Sequence, residues 1–101
     1  MIVVSRFRVP ELDRASFETV SAPAVQLLTT QPGLVSIDFG VNLDDPELWA
    51  LATKWVDVGS YRRALGSANR VVLWPLLSLA LDEPSAFDDP EAVGQNQPRN
   101  R

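Results

Sequence analysis

From Leu34 to Asn42 the chain alternates, with Val35, Ile37, Phe39 and Val41 on one side and Ser36, Asp38, Gly40 and Asn42 on the other. A period of two is what a strand with one buried face requires. Gln31-Pro32-Gly33 marks a turn before this run, and Asn42 with Asp44-Asp45-Pro46 marks one after it. A second run, Leu48 to Val56, has bulk on both sides: Trp49, Leu51 and Trp55 alternate with Leu48, Ala50, Ala52 and Val56. Two extended runs joined by a short turn predict an antiparallel hairpin. A strand apolar on both faces needs cover on both. One layer of helices covers only one of them, so the pattern predicts a homodimer formed through the sheet faces.

The flanking segments fit around this hairpin. Ile2 to Val9 alternates, with Val3, Ser5, Phe7 and Val9 on one side and Ile2, Val4, Arg6 and Arg8 on the other, and Pro10 ends it. Asp13 is placed to cap a helix whose apolar stripe is Phe17, Val20, Ala24, Leu27 and Leu28. Pro23 lies inside that helix and predicts a kink between Thr19 and Pro23. Asp57 is placed to cap a short helix that turns Val58, Tyr61 and Leu65 inward and stops at Gly66. Ser67 to Trp74 predicts further helix, interrupted by Pro75 and continued from Leu76 to Leu81. A short last strand is expected around Ser85 to Asp88. The order strand, helix, strand, strand, helix, helical segment, strand is the α+β, ferredoxin-like βαββαβ layout, an antiparallel sheet with helices on one face. It occupies residues 1–88. Residues 89–101 are polar and are expected to form a mobile tail.

Composition narrows the chemistry. At 101 residues and 46% apolar content, the chain is one globular domain. A net charge of −4, with scattered basic residues, argues against a nucleic-acid partner. No apolar run reaches the ~18 residues of a membrane span, and no secretory leader is visible, so a cytoplasmic location is expected. There is no Cys and no His. That removes thiol nucleophiles, imidazole acid–base chemistry, Cys/His zinc sites and a His-ligated haem. Any chemistry runs on Tyr, Trp, Arg, Ser, Asn or carboxylates. No metal site is expected, because the acids fall mostly in turns or in the tail.

Gln31-Pro32-Gly33, the alternating strand, Asp44-Asp45-Pro46, the strand ending in Trp55, and Ser60-Tyr61 together resemble the antibiotic biosynthesis monooxygenase family. The resemblance runs from Ile2 to Phe87 and implies a dimeric α/β barrel. The family includes quinone-forming oxygenases, haem-degrading enzymes and proteins that process signal molecules. Carried over residue by residue, the resemblance implies that Trp55, Tyr61 and Asn42 are catalytic candidates: two pocket aromatics and a polar group at the end of the second strand. The haem-degrading members carry an Asn at the position of Ser5 and ligate haem through a helix His. This chain departs at both points, which turns the reading away from haem degradation.

What remains is cofactor-independent oxygenation of a small aromatic or polyketide-like molecule, with no cofactor expected. A deprotonated phenol or hydroquinone can reduce oxygen itself if the protein excludes water, orients the ring and stabilises the anion. Ser5, Phe7, Phe17, Phe39 and Trp74 are the substrate-binding candidates that would wall such a pocket, expected between helices and sheet beside Trp55 and Tyr61. Two other readings share these residues: a non-catalytic dimer that binds a small hydrophobic ligand, and a structural dimer whose cavity side chains close. Trp49 and Trp55 also suit core or interface anchors, Trp74 beside Pro75 suits packing, and Asp44-Asp45-Pro46 suits a turn.

Overall fold

The structure, a computed structural model, describes residues 1–96. Strands β1 (Ile2–Arg8), β2 (Leu34–Val41), β3 (Leu48–Trp55) and β4 (Ala86–Phe87) form an antiparallel sheet in the order β2-β3-β1-β4. Helix α1 (Arg14–Thr29) joins β1 to β2, and α2 (Val58–Ala64) and α3 (Ser67–Leu77) lie between β3 and β4. This element order and sheet order are those of the ferredoxin-like α+β fold. Among the described residues no helix is long and apolar enough to cross a membrane.

Register sets the two faces, because residues opposite one another in antiparallel strands point the same way. Val3 pairs with Thr53, Ser5 with Leu51 and Phe7 with Trp49, and all six are buried under the helices. Their neighbours Val4, Arg6 and Arg8 pair with Ala52, Ala50 and Leu48 on the opposite, open face. The core therefore lies between one sheet face and the helix layer, where Phe17, Ala24 and Leu28 of α1 meet Leu73 and Leu76 of α3.

Several expectations change at particular residues. The alternation of β2 slips at its first step. Leu34 pairs with Trp55 and Ser36 with Lys54, so Val35 bulges out and is 53% exposed, and Leu34 takes the inward place. An extra residue in one strand is what a β-bulge inserts. Gly33 before it has φ 91, and a side chain there would collide with Ser60. Only glycine permits both that backbone and that approach.

Helix α1 is one element from Arg14 to Thr29 with Pro23, the expected kink position, inside it, and its inward positions Phe17, Ser21, Ala24 and Leu28 are buried on both sides of the proline. Asp13 stands at its N-terminus but makes no side-chain cap. The preceding 3-10 turn, Glu11–Asp13, leaves Asp13 at φ −97 and ψ 1, far from the extended backbone that capping needs. Asp57 has that backbone, and its carboxylate accepts the Ser60 amide at 2.8 Å. Helix α3 continues past Pro75 and ends at Leu77, so the helical stretch expected up to Leu81 stops short. Leu81 instead donates its amide to the Arg6 carbonyl at 2.8 Å. The stretch read as a polar tail opens with helix α4 (Pro90–Asn96), where the Asp89 carboxylate accepts the Glu91 amide at 2.8 Å. Residues 97–101 of that tail lie outside the described residues.

Candidate active site

Two concavities flank the helix–sheet layer, and the sheet register places the side chains around each. At the first, β3 brings Thr53 and Trp55, β1 brings Ser5 and α2 brings Tyr61. Trp55 is 2% exposed, and its indole N–H donates to the Thr53 hydroxyl at 2.9 Å. This bond satisfies a donor that burial would otherwise leave costly. The Tyr61 ring lies 6.0 Å from that of Trp55, tilted by 55°. The four side chains, with Leu28, Leu77 and other apolar neighbours, line a partly open recess of about 30 Å³. A water needs roughly 10–15 Å³ of such space, so this inner cavity holds a molecule of one or two heavy atoms and no aromatic ring. The Asp57 cap orients the helix that carries Tyr61. Hydrogen bonds from the Ser60 amide and hydroxyl, in that order, hold the Asp57 carboxyl below the usual carboxylate range. Burial pushes the half-buried Tyr61 phenol above its ordinary value. It is therefore a neutral hydrogen-bond donor at neutral pH, not a base.

The second concavity adjoins an aromatic cluster. Phe17 lies 5.4 Å from Phe7, 5.9 Å from Phe39 and 5.4 Å from Trp49, and Phe39 lies 5.4 Å from Trp49. The Arg14 guanidinium sits 5.2 Å over the Trp49 ring. Phe39 and Trp49 spend their faces on this packing. Phe7 and Phe17 also line a half-open concavity of about 270 Å³, together with Arg8, Val20 of α1 and Leu79 of the turn after α3.

The structure thus unites Ser5, Trp55 and Tyr61, and separates them from the other residues named from sequence. Asn42 lies at the opposite end of the sheet. Its strand neighbour Val41 pairs with Trp49, six residues from Trp55, a span of roughly 20 Å at about 3.3 Å per residue. Its side-chain oxygen accepts the amides of Asp44 and Asp45 at 2.8 and 2.9 Å, so it builds the turn of the hairpin. Trp74 is 55% exposed on α3 and packs under the Arg70 guanidinium at 5.4 Å, outside both cavities. Phe39 belongs to the aromatic cluster and borders neither cavity. Sequence reasoning missed Thr53. The available signal was a polar residue two positions before Trp55, on the same strand face. Among the described residues no group of three acidic side chains could hold a metal ion.

Family membership follows from the sequence match. The family profile described as antibiotic biosynthesis monooxygenase matches residues 1–70. The chain belongs to the antibiotic biosynthesis monooxygenase family. The solved structure of SnoaB, a cofactor-independent oxygenase from Streptomyces nogalater, is 27% identical, with a TM-score of 0.71 over 87% of this chain and 90% of that one. A conserved protein from Methanosarcina mazei Go1 shares the fold at 22% identity and a TM-score of 0.70, over 86% of each chain. The fold recurs at 17% identity in Rv0793 from Mycobacterium tuberculosis, with a TM-score of 0.63 over 88% of this chain and 96% of that one. No curated protein matches the chain. In this member of the antibiotic biosynthesis monooxygenase family, the buried end of β3 offers a shielded phenol and two hydroxyls next to a small void. Such a group of donors can stabilise a developing oxygen anion where water is scarce.

Proposed function

We propose that the protein is a cofactor-independent monooxygenase for a small aromatic substrate, with Trp55, Tyr61 and Ser5 at the reacting end. The observation that carries the reading is the void at the buried end of β3, whose volume suits a diatomic molecule and whose walls carry the Tyr61 phenol. Family membership and the likeness to SnoaB support the reaction class. A substrate phenol that has lost its proton donates electrons to oxygen. One oxygen atom bonds to a ring carbon, and that carbon gives up its hydrogen. The second oxygen leaves as water with the ring hydrogen and the hydroxyl proton, and the ring becomes a quinone. Tyr61, held neutral by burial, donates to the substrate oxygen as negative charge develops there. Trp55, locked by its bond to Thr53, forms the rigid wall of the void.

We also infer that the working form is a homodimer in which the open sheet face meets its copy. Val4, Leu48, Ala50 and Ala52 lie along that face, with Gly40 beside them, and Leu48, Ala50, Ala52 and Gly40 line, with Arg6 and Asp38, a concavity of about 370 Å³. Two-fold packing buries the same face on both subunits at once.

A non-catalytic dimer that holds a small hydrophobic ligand is the second reading. The cavity volumes favour it, since neither space inside the layer admits a polycyclic polyketide in the conformation seen. Oxygen uptake with a panel of phenols and hydroquinones separates the two. Turnover that falls at least tenfold in Tyr61→Phe, with the fold intact, supports the enzyme. Ligand binding without oxygen uptake by the wild type sinks it.

A further inference from the structure

We propose that the Gln31-Pro32-Gly33 turn and Asn69 form the positioning device of Tyr61, gripping both ends of the helix that carries its phenol. The inference rests on the monooxygenase reading for what Tyr61 does to a substrate, but not for where Tyr61 stands. Helix α2 has seven residues. A helix that short is marginal by itself, since isolated helices need roughly 12–15 residues to persist in water. Its place beside the inner recess is therefore set by its contacts with other elements.

The grip on the N-terminal end comes from the turn before β2. The Gly33 carbonyl accepts the Val56 amide at 2.9 Å, which ties the turn to the exit of β3. Ser60, the residue before Tyr61, lies so close to Gly33 that a Cβ there would stand 2.4 Å from both the Ser60 Cβ and Oγ. The grip on the C-terminal end comes from Asn69 of α3. Ala64 ends α2 and is buried, and its carbonyl is one of those a helix terminus leaves without a partner inside the helix. The Asn69 side-chain nitrogen donates to that carbonyl at 2.9 Å and to the Gln31 side-chain oxygen at 3.0 Å. The Gln31 side-chain nitrogen donates in turn to the Leu27 carbonyl at 3.3 Å. A backbone carbonyl can only accept, so both side-chain amides must point their nitrogens this way.

Gln31 and Gly33 are separated by Pro32 alone, whose ring fixes its φ. One stiff turn thus reaches both ends of α2, and Tyr61 stands between the two grips. The next residue, Leu34, pairs with Trp55, so the same turn also sets the strand end that carries the indole. Trp55 and Tyr61, 6.0 Å apart, are placed from a common reference.

The test reads the position of the chain's one tyrosine by its alkaline titration in the native state and by the NMR shifts of its ring, which the ring current of Trp55 displaces. Burial raises the Tyr61 value, so a phenol released towards water titrates lower. Asn69→Ala removes both donors. It is expected to lower the native midpoint towards that of the urea-unfolded chain and to move the ring shifts towards unfolded values. Gln31→Leu is expected to act in the same direction, whereas Gln31→Glu keeps an acceptor for Asn69 and should hold the wild-type midpoint. Circular dichroism verifies the fold of each variant, and if Asn69→Ala does not fold, the two Gln31 variants decide. Variants that lose stability yet keep the wild-type midpoint and ring shifts overturn the inference, because the contacts then serve the fold alone. In oxygen uptake with the phenol panel, Asn69→Ala is expected to lower kcat about tenfold or more with KM little changed, since a displacement of about 1 Å can cost 10²-fold. A wild type that takes up no oxygen removes the monooxygenase reading and leaves the titration to decide the grip on Tyr61.

Discussion

The two faces of the sheet share four strands and differ in everything their side chains do. The covered face carries Phe7, Trp49, Leu51 and Trp55, all buried, and the helices close over them. The centre of the open face is made of Ala50, Ala52 and Gly40, and a Cβ added at Gly40 would meet nothing within 4 Å. Around that centre stand ion pairs, Arg6 with Glu83 at 2.7 Å and Arg8 with Asp45 at 2.6 Å. Each pair holds its carboxyl below the usual range, chiefly through the hydrogen bond from the arginine. Bulk fills a layer that is already closed, whereas small side chains leave a shallow bed that a second sheet can approach to about 10 Å. The covered face specifies the fold; the open face is the one through which the proposed dimer would form.

The difference between the faces is open to direct attack, and the largest effect is expected on the covered face. Trp55→Ala removes a large buried side chain and should destabilise the fold by about 3–5 kcal/mol, read from urea unfolding. A cost under about 1 kcal/mol would mean that the buried end of β3 is loosely packed and the contrast between faces is false. Thr53→Val tests the same region more finely. It keeps the shape but strands the Trp55 indole N–H, and should cost about 1–3 kcal/mol. Unchanged stability would show that the N–H finds another acceptor.

The open face should answer differently. Ala52→Arg is expected to stay within about 0.5 kcal/mol of the wild type in subunit stability, as exposed substitutions usually do. It should nevertheless convert dimer to monomer in sedimentation at micromolar concentration. A wild type that is already a stable monomer there would break the assignment of this face.

The smallest effect sharpens the environment of the inner cavity. Tyr61 is the one tyrosine in the chain, so the alkaline rise of phenolate absorbance reports it alone. Burial raises its folded-state value, so the associated stability is present below the unfolded value of about 10 and is lost as the pH rises through the folded one. The native titration should lie above that of the urea-unfolded chain. Coincident curves would place the phenol in open water.

The sequence by itself determined the faces of β1 and β3, the Asp57 cap and the family. Each is a local property: a period of two puts Val3 and Phe7 on one side of β1, and Trp49 and Trp55 on one side of β3, however the strands pair, and a cap needs only a carboxylate and the next three residues. The meeting of residues from different elements was decided by the tertiary structure. Asn42 and Trp55 look close along the chain, yet antiparallel pairing sends them to opposite ends of the sheet. Trp74 turns outward because α3 buries Leu73 and Leu76 instead. Val35 leaves the inward row because a bulge adds one residue, and in a strand a one-residue slip exchanges the faces. Thr53 acquires its role only through Trp55, and Leu79 borders the same concavity as Phe7 only in the folded chain. These contacts join residues tens of positions apart, and register and strand order, which no local pattern encodes, set them.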